Sequence, residues 1–270
     1  MFDLHTLEAA LTNTIFAGKL HFAPVTDSTN NDALTAARTG APHGSVWFAD
    51  EQSAGRGRGG NAWRSAAGEG LYVSVLLRLP IPTSRLLLLP LAAGLAADDA
   101  MRAVAPGVDI DLRWPNDLLI GPNKTGGILV EAGSEPNSGH NSEVTSGAFA
   151  VVGIGINVHQ RTFDPGLATP ATSLDLAAGR PVSRQALLLA LLRALERESD
   201  ALQDPASAAT IPARIEAASS WVRGRSVEVH GPQACTGVTA GLDKHGFLLV
   251  QTASGMVTVQ TGGIRSSGIH

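Results

Sequence analysis

The sequence predicts an α+β protein: a mixed β-sheet flanked by helices, followed by a small C-terminal β-barrel of SH3-like type. Three observations predict it. Apolar residues make up 44% of the 270 residues and charged residues 16%, which supplies a sizeable core and too few charges to keep the chain disordered. Helix and strand patterns alternate through residues 1–219. From residue 220 onward, short β-rich segments recur at hairpin spacing, separated by Gly, Pro and Asp-Lys-His-Gly turns. Two domains are therefore expected, 1–219 and 220–270, and closing the small sheet into a barrel limits its exposed edges.

Ser28 or Thr29 suits an N-cap for a helix running to Arg38, because a small hydroxyl can accept from unpaired first-turn amides. A strand is expected at 45–49, then a Gly/Arg-rich loop at 55–61. Residues 71–79 form an apolar run dense in β-formers, which suits a buried strand. Residues 83–104 read as one long helix. Strands are expected again at 109–113, 118–120, 127–132 and 148–158, and an amphipathic helix at 182–200. Between 133 and 147 the sequence is polar and rich in turn formers, as an exposed hairpin or loop would be. The barrel strands are placed at 226–230, 237–242, 246–251 and 256–260.

Composition excludes several classes. A formal charge of −4 argues against a broad nucleic-acid-binding face. The single cysteine, Cys235, forms no internal disulfide, and the first residues lack the basic-then-apolar pattern of a signal peptide, so a cytoplasmic protein is expected. The longest leucine-rich run, 86–97, contains Pro90 and falls short of the ~20 apolar residues of a membrane span. His43, His140 and His159 lie in separate segments without zinc-site spacing. There is no G-x-S-x-G nucleophile elbow and no Walker A loop around Lys124.

Three features could carry chemistry. In Gly55-Arg-Gly-Arg-Gly-Gly60, glycines let the backbone approach a ligand closely while two guanidinium forks meet phosphate or carboxylate oxygens. The alternative is a surface loop with solvated arginines. The loop formally fits G-x-G-x-x-G, but no helix follows and no acid lies about 20 residues on, so a Rossmann site is rejected. In Arg113-Trp-Pro-Asn-Asp117, Pro115 forces a turn that places Asn116 and Asp117 at a strand end, either facing a ligand or capping their own turn. Lys124, just before a Gly-Gly strand start, faces a phosphate or solvent. Gly153-Ile-Gly-Ile-Asn157 puts glycines inside an apolar strand, which marks a close ligand approach or a bulge.

Taken in chain order, Ser28-Thr-Asn30, Glu51-Gln-Ser-Ala-Gly-Arg-Gly-Arg58 with Trp63, Trp114-Pro-Asn-Asp117, Lys124 ahead of Gly-Ile-Leu-Val-Glu131, Gly153-Ile-Gly-Ile-Asn157 and the barrel-like tail resemble the biotin protein ligases. The resemblance covers most of the chain. It implies a class II synthetase-like catalytic core that activates biotin with ATP as biotinyl-5′-AMP. The acyl group would then pass to a lysine of biotin carboxyl carrier protein. Mg²⁺ would act as activator, with no tightly bound prosthetic group.

By this resemblance Ser28, Thr29, Asn30 and Gln52 bind the biotin head group, Arg56, Gly57 and Arg58 close over carboxylate and phosphate, and Trp63, Gly127 and Leu129 wall the rings. Lys124 bridges carboxylate and α-phosphate. Asp117 orients the incoming amine or helps hold Mg²⁺. Arg56, Arg58, Trp63, Asn116, Lys124, Asn157 and Arg265 contact the nucleotide. The sequence departs from the family where relatives often carry further Arg or Lys and it has Gly59, Asn61 and Ala62. It also lacks a tryptophan in 167–174 as adenine platform, with Trp63 the candidate substitute. The 27 residues before Ser28 are too few for a helix-turn-helix, so a monofunctional enzyme without DNA binding, monomer or homodimer, is expected. A lipoate or related acyl-ligase on the same fold and a non-catalytic biotin sensor are the alternatives.

Overall fold

A computed structural model describes residues 2–134 and 148–267. In chain order the first part comprises α1 (Leu4–Ala10), β1 (Leu20–Thr26), α2 (Thr29–Arg38), β2 (Val46–Gln52), β3 (Gly70–Leu77), α3 (Thr83–Leu86), α4 (Leu89–Val104), β4 (Ile110–Arg113), β5 (Asp117–Ile120), β6 (Asn123–Ser134) and β7 (Ala148–Asn157). Four helices follow: α5 (Leu174–Ala178), α6 (Arg184–Gln203), α7 (Pro205–Ala208) and α8 (Ile211–Ala218). The tail holds β8 (Arg223–His230), β9 (Cys235–Leu242), β10 (Leu248–Thr252), β11 (Gly255–Val259) and β12 (Gly263–Ser266).

Strands β1 to β7 form one sheet in the order β1-β2-β3-β7-β6-β5-β4, with β1 and β2 parallel and the other neighbours antiparallel. The mixed sheet expected from sequence is present. β3 is buried along its whole length, as a run that is apolar but for Ser74 suits. Because side chains alternate across a strand, Leu71, Val73, Val75 and Leu77 join the main core beneath α4 and α6. Leu76, Phe149 and Val151 pack instead with Ala33, Leu34 and Ala37 of α2 on the opposite face. The candidate site lies on that α2 face.

Several expectations are corrected. The single helix expected over 83–104 is two, α3 and α4, because Pro90 lacks an amide hydrogen and its ring crowds the carbonyl four residues back, at Leu86. Lys124 lies inside β6, not before it. Ser28 occupies the N-cap position of α2 but its side chain makes no capping bond. The Thr29 amide is met by Gln52 Oε1 at 2.9 Å. Residues 133 and 134, read as loop, end β6, and the remainder of that expected loop lies outside the described residues.

The tail strands form an antiparallel sheet in the order β11-β10-β9-β8-β12. β12 was missed in the sequence, being four residues within a Gly/Ser-rich end. This sheet docks beside β4 and β5: the Trp114 indole N–H donates to the Gly246 carbonyl at 3.0 Å, and the Ser220 hydroxyl donates to Asp111 at 2.6 Å. No helix among the described residues is long and apolar enough to cross a membrane.

Candidate active site

The register of the central strands makes the hollow. Gly127 of β6 sits opposite Gly155 of β7, and Leu129 opposite Gly153, all on the α2 face. A Cβ on Gly155 would lie 2.5 Å from Trp63 Nε1, and one on Gly127 would lie 3.7 Å from both the Trp63 ring and Lys124 Nζ. Missing side chains thus leave a recess over which the indole lies. Trp63 Nε1 is buried against Gly155 without a hydrogen-bond partner.

Asn30 forms one wall. It is 4% exposed and anchored at both ends of its carboxamide: the Ser74 hydroxyl donates to Oδ1 at 2.5 Å, and Nδ2 donates to Glu131 Oε2 at 2.9 Å. Thr29 and Ser74 hydroxyls lie 2.8 Å apart, and Gln52 Nε2 donates to Ser65 Oγ at 2.7 Å. Ser74 and Glu131 were not singled out from sequence as binding residues. A lone serine inside the apolar run of β3 was the available signal.

The Gly/Arg loop is folded against the protein: both arginines have protein partners, although the Arg56 side chain stays 38% exposed. Gly55 is packed so closely that a Cβ there would strike the Trp63 carbonyl and the Ser65 hydroxyl, and Gly59 and Gly60 turn the chain at φ of 69° and 81°. Arg56 donates to Asn31 Oδ1 and Glu131 Oε1. Arg58 crosses to the tail, donating to the Gly262 carbonyl and, at 2.9 Å, to Thr261 Oγ1. Burial lowers the Arg58 pKa from its ordinary value and Asp117 opposes the shift, so the group is a poorly hydrated cation.

Lys124 is aimed by a break in the β5–β6 register, where Leu118 pairs with Gly126 and Leu119 with Lys124. Its main chain is held by the Pro170 carbonyl at 2.7 Å and the Thr172 amide at 3.0 Å. Its ammonium meets Asp117 Oδ1 at 2.5 Å and lies 5.6 Å from the Trp63 ring centroid. The second oxygen of Asp117 takes Arg113 Nη2 at 2.6 Å. Asn116 ties its turn to β6, its Nδ2 donating to the Ile128 carbonyl at 2.9 Å.

Ser28, Thr29, Asn30, Gln52, Arg56, Gly57, Arg58, Trp63, Lys124 and Gly127 all line this inner recess, with Asn116, Tyr72 and Leu129. The recess opens into a groove of about 1560 Å³ between the main sheet and the tail sheet. Arg58, Trp63, Asn116 and Lys124 stand at the junction, and Asp117, Asn157 and Arg265 line only the groove. Arg56 lines the recess alone. Asn157 is 7% exposed and its amide donates to the Thr172 carbonyl at 3.0 Å. Burial raises the Tyr72 pKa, with Glu69 adding to the shift, so its hydroxyl stays neutral at the back of the recess. Among the described residues no three His, Cys, Asp or Glu side chains gather as a metal site.

Fold and site define an enzyme-like cleft built for a small organic acid beside a larger anion: a narrow, partly apolar recess with directed amides, cations at its mouth, and a groove beyond. The profile of the Biotin/lipoate A/B protein ligase family matches residues 22–145. The chain is 32% identical over 260 residues to the bifunctional ligase/repressor BirA of Bacillus spizizenii, covering 94% of this chain and 76% of that protein. It is 35% identical over 248 residues to the biotin–[acetyl-CoA-carboxylase] ligase of Mycobacterium tuberculosis, covering 88% and 85%. The solved biotin protein ligase of Aquifex aeolicus in complex with biotin and ATP superposes with a TM-score of 0.76 at 28% identity, covering 93% of this chain and all of that one. The chain belongs to the biotin protein ligase family.

Proposed function

We propose that this protein activates biotin with ATP as biotinyl-5′-AMP and transfers the biotinyl group to a lysine of biotin carboxyl carrier protein. The observation that carries the reading is the convergence of Arg56, Arg58 and Lys124 on one recess lined by Asn30, Thr29 and Gln52, at the entrance to a groove large enough for a nucleotide. A pocket for a small acid alone does not need three cations around it.

Biotin's head group would sit against Ser28, Thr29, Asn30 and Gln52, with its rings between Trp63, Gly127 and Leu129 and its carboxylate at the mouth. ATP would lie in the groove, its triphosphate near Arg58, its base and ribose towards Asn116, Asn157 and Arg265. In the first step a carboxylate oxygen attacks the α-phosphorus and pyrophosphate leaves. Both reactants are anions, so fixed cations reduce their repulsion and stabilise charge at phosphorus; Lys124 bridges the two, and the half-buried Arg58 acts with reduced screening. In the second step the acceptor amine attacks the acyl carbon and AMP departs. Asp117 faces the groove and would orient that amine.

The donors present do not form a protein cage for Mg²⁺, because among the described residues no three His, Cys, Asp or Glu side chains gather to hold one. A magnesium ion arriving with ATP would rest chiefly on phosphate oxygens and water. The cytoplasm is the proposed site of action.

Pyrophosphate exchange and carrier-protein mass shift, measured with ATP and either biotin or lipoate, test the reading. Exchange and a biotinyl mass increment with biotin alone are expected. A shift only with lipoate establishes the lipoate alternative, and tight biotin binding without exchange establishes a sensor.

A further inference from the structure

We propose that Arg113 is a positioning residue that acts through Asp117 to release Lys124 to the anionic substrates; the inference rests on the adenylating role given above. Arg113 and Asp117 face each other as register partners across the β4–β5 hairpin. The guanidinium gives Nε and Nη2 to Asp117 Oδ2 at 3.1 and 2.6 Å, and Nη2 also reaches Thr169 Oγ1 at 3.0 Å. Its face lies 5.2 Å from the centroid of Trp221, whose ring also carries Arg225 at 4.3 Å. Arg113 is 8% exposed and Trp221 6%, so the guanidinium is fixed by a carboxylate, a hydroxyl and an aromatic plate, with little water to replace any of them.

Asp117 therefore serves two cations with two different oxygens, Oδ2 for Arg113 and Oδ1 for Lys124. Without Arg113, the Asp117–Lys124 pair would be self-contained, with side chains only 15% and 29% exposed. Drawing Lys124 away to a carboxylate or phosphate would then strand a nearly buried carboxylate, which is strongly unfavourable. With Arg113 in place the trio keeps a net positive charge, and Asp117 stays compensated after Lys124 departs. Arg113 borders the groove, but its Nε and Nη2 are committed to Asp117 and Thr169, so it makes the lysine available by holding Asp117. The plate that fixes it, Trp221, belongs to the link into the tail sheet, which gives the tail an energetic connection to the first chemical step.

The alternative is that Arg113 only braces the hairpin. Biotin-dependent pyrophosphate exchange by the full chain separates the two, with thermal melts and active-site titration counting folded protein. Absence of exchange in the unmodified protein sinks the adenylating role itself. Given exchange, Arg113→Gln is expected to lower kcat roughly 30-fold with the KM for biotin moved less than about 3-fold, and Arg113→Lys to recover to within about 5-fold. In an Asp117→Asn background the same Arg113→Gln change is expected to cost less than about 3-fold, because the residue through which it acts is gone. Should Arg113→Gln not fold, Trp221→Leu, which loosens the guanidinium and keeps its charge, is expected to lower kcat roughly 5-fold, again only when Asp117 is present. Unchanged kcat per folded molecule, or an equal loss in the Asp117→Asn background, overturns the proposal.

Discussion

Replacing Gly153 by alanine tests whether the strand glycines exist to make room for Asn30. A Cβ built there overlaps the Asn30 amide oxygen and lies 2.7 Å from its Cγ and 3.0 Å from Nδ2, closer than side chains tolerate. The amide cannot swing away freely, because Ser74 and Glu131 hold both of its ends. Displacing it breaks one neutral hydrogen bond and one to a carboxylate, about 1 and 2 kcal/mol respectively. Residual overpacking adds about 1 kcal/mol. Lower freedom of the unfolded chain offsets roughly 0.5–1 kcal/mol. The expected net loss is about 3 kcal/mol. Biotin affinity should fall at least ~10-fold, since the displaced amide lines the recess. Urea unfolding followed by far-UV circular dichroism and calorimetric titration with biotin read the two effects. The same glycine change in an Asn30→Ala background, where there is nothing to strike, should be close to neutral. A Gly153→Ala protein with unchanged stability and affinity, or an equal loss in the Asn30→Ala background, would refute the reasoning.

Lys124→Ala should reduce adenylate formation by at least ~10²-fold while leaving the melting temperature near that of the unmodified protein, and normal pyrophosphate exchange would contradict its role. Arg58→Ala removes the tie to Thr261 and Gly262, so tryptic cleavage after Arg56 should accelerate several-fold; equal cleavage rates would show that the loop is held otherwise. Burial, reinforced by Lys19, holds the His43 pKa below its ordinary 6.5, and its neutral Nδ1 accepts from the Arg78 amide at 3.0 Å. The unfolded chain therefore takes up the proton first. The resulting stability is full above pH 6.5 and declines as pH falls below it. Thermal melts between pH 7.5 and 5.5 should show a smaller decline in His43→Gln, and parallel declines would assign the effect elsewhere.

Local chemistry made the site's cations and amides legible, because glycines beside arginines and a lysine ahead of Gly-Gly are unusual for reasons that do not depend on the fold. Their partners were not legible. Arg58 meets Thr261 and Gly262, 203 and 204 residues away, and Arg56 meets Glu131, 75 residues away. Those contacts follow from where the tail sheet docks and how β6 is registered, neither of which is encoded in a short window. The helix break before α4 was readable, since Pro90 was noted in the leucine-rich run and its clash with Leu86 was the missing step. Lys124 was placed outside its strand because a register shift, not composition, sets where β6 begins.

The strand glycines show why a sequence can mark a pocket without revealing its shape. Along β7, Ala150, Val152, Ile154 and Ile156 enter the core beneath α4 and α6, while Gly153 and Gly155 point to the α2 face. A one-residue shift in that register would send the glycines into the core and close the recess with isoleucine. The penalty that glycine brings to a buried strand is thus accepted on one face only, where Asn30 and Trp63 occupy the space that side chains would have filled. The apolar run alone allows either register. The pairing of Gly127 with Gly155 fixes it, so the binding recess and the core are two results of the same β6–β7 alignment.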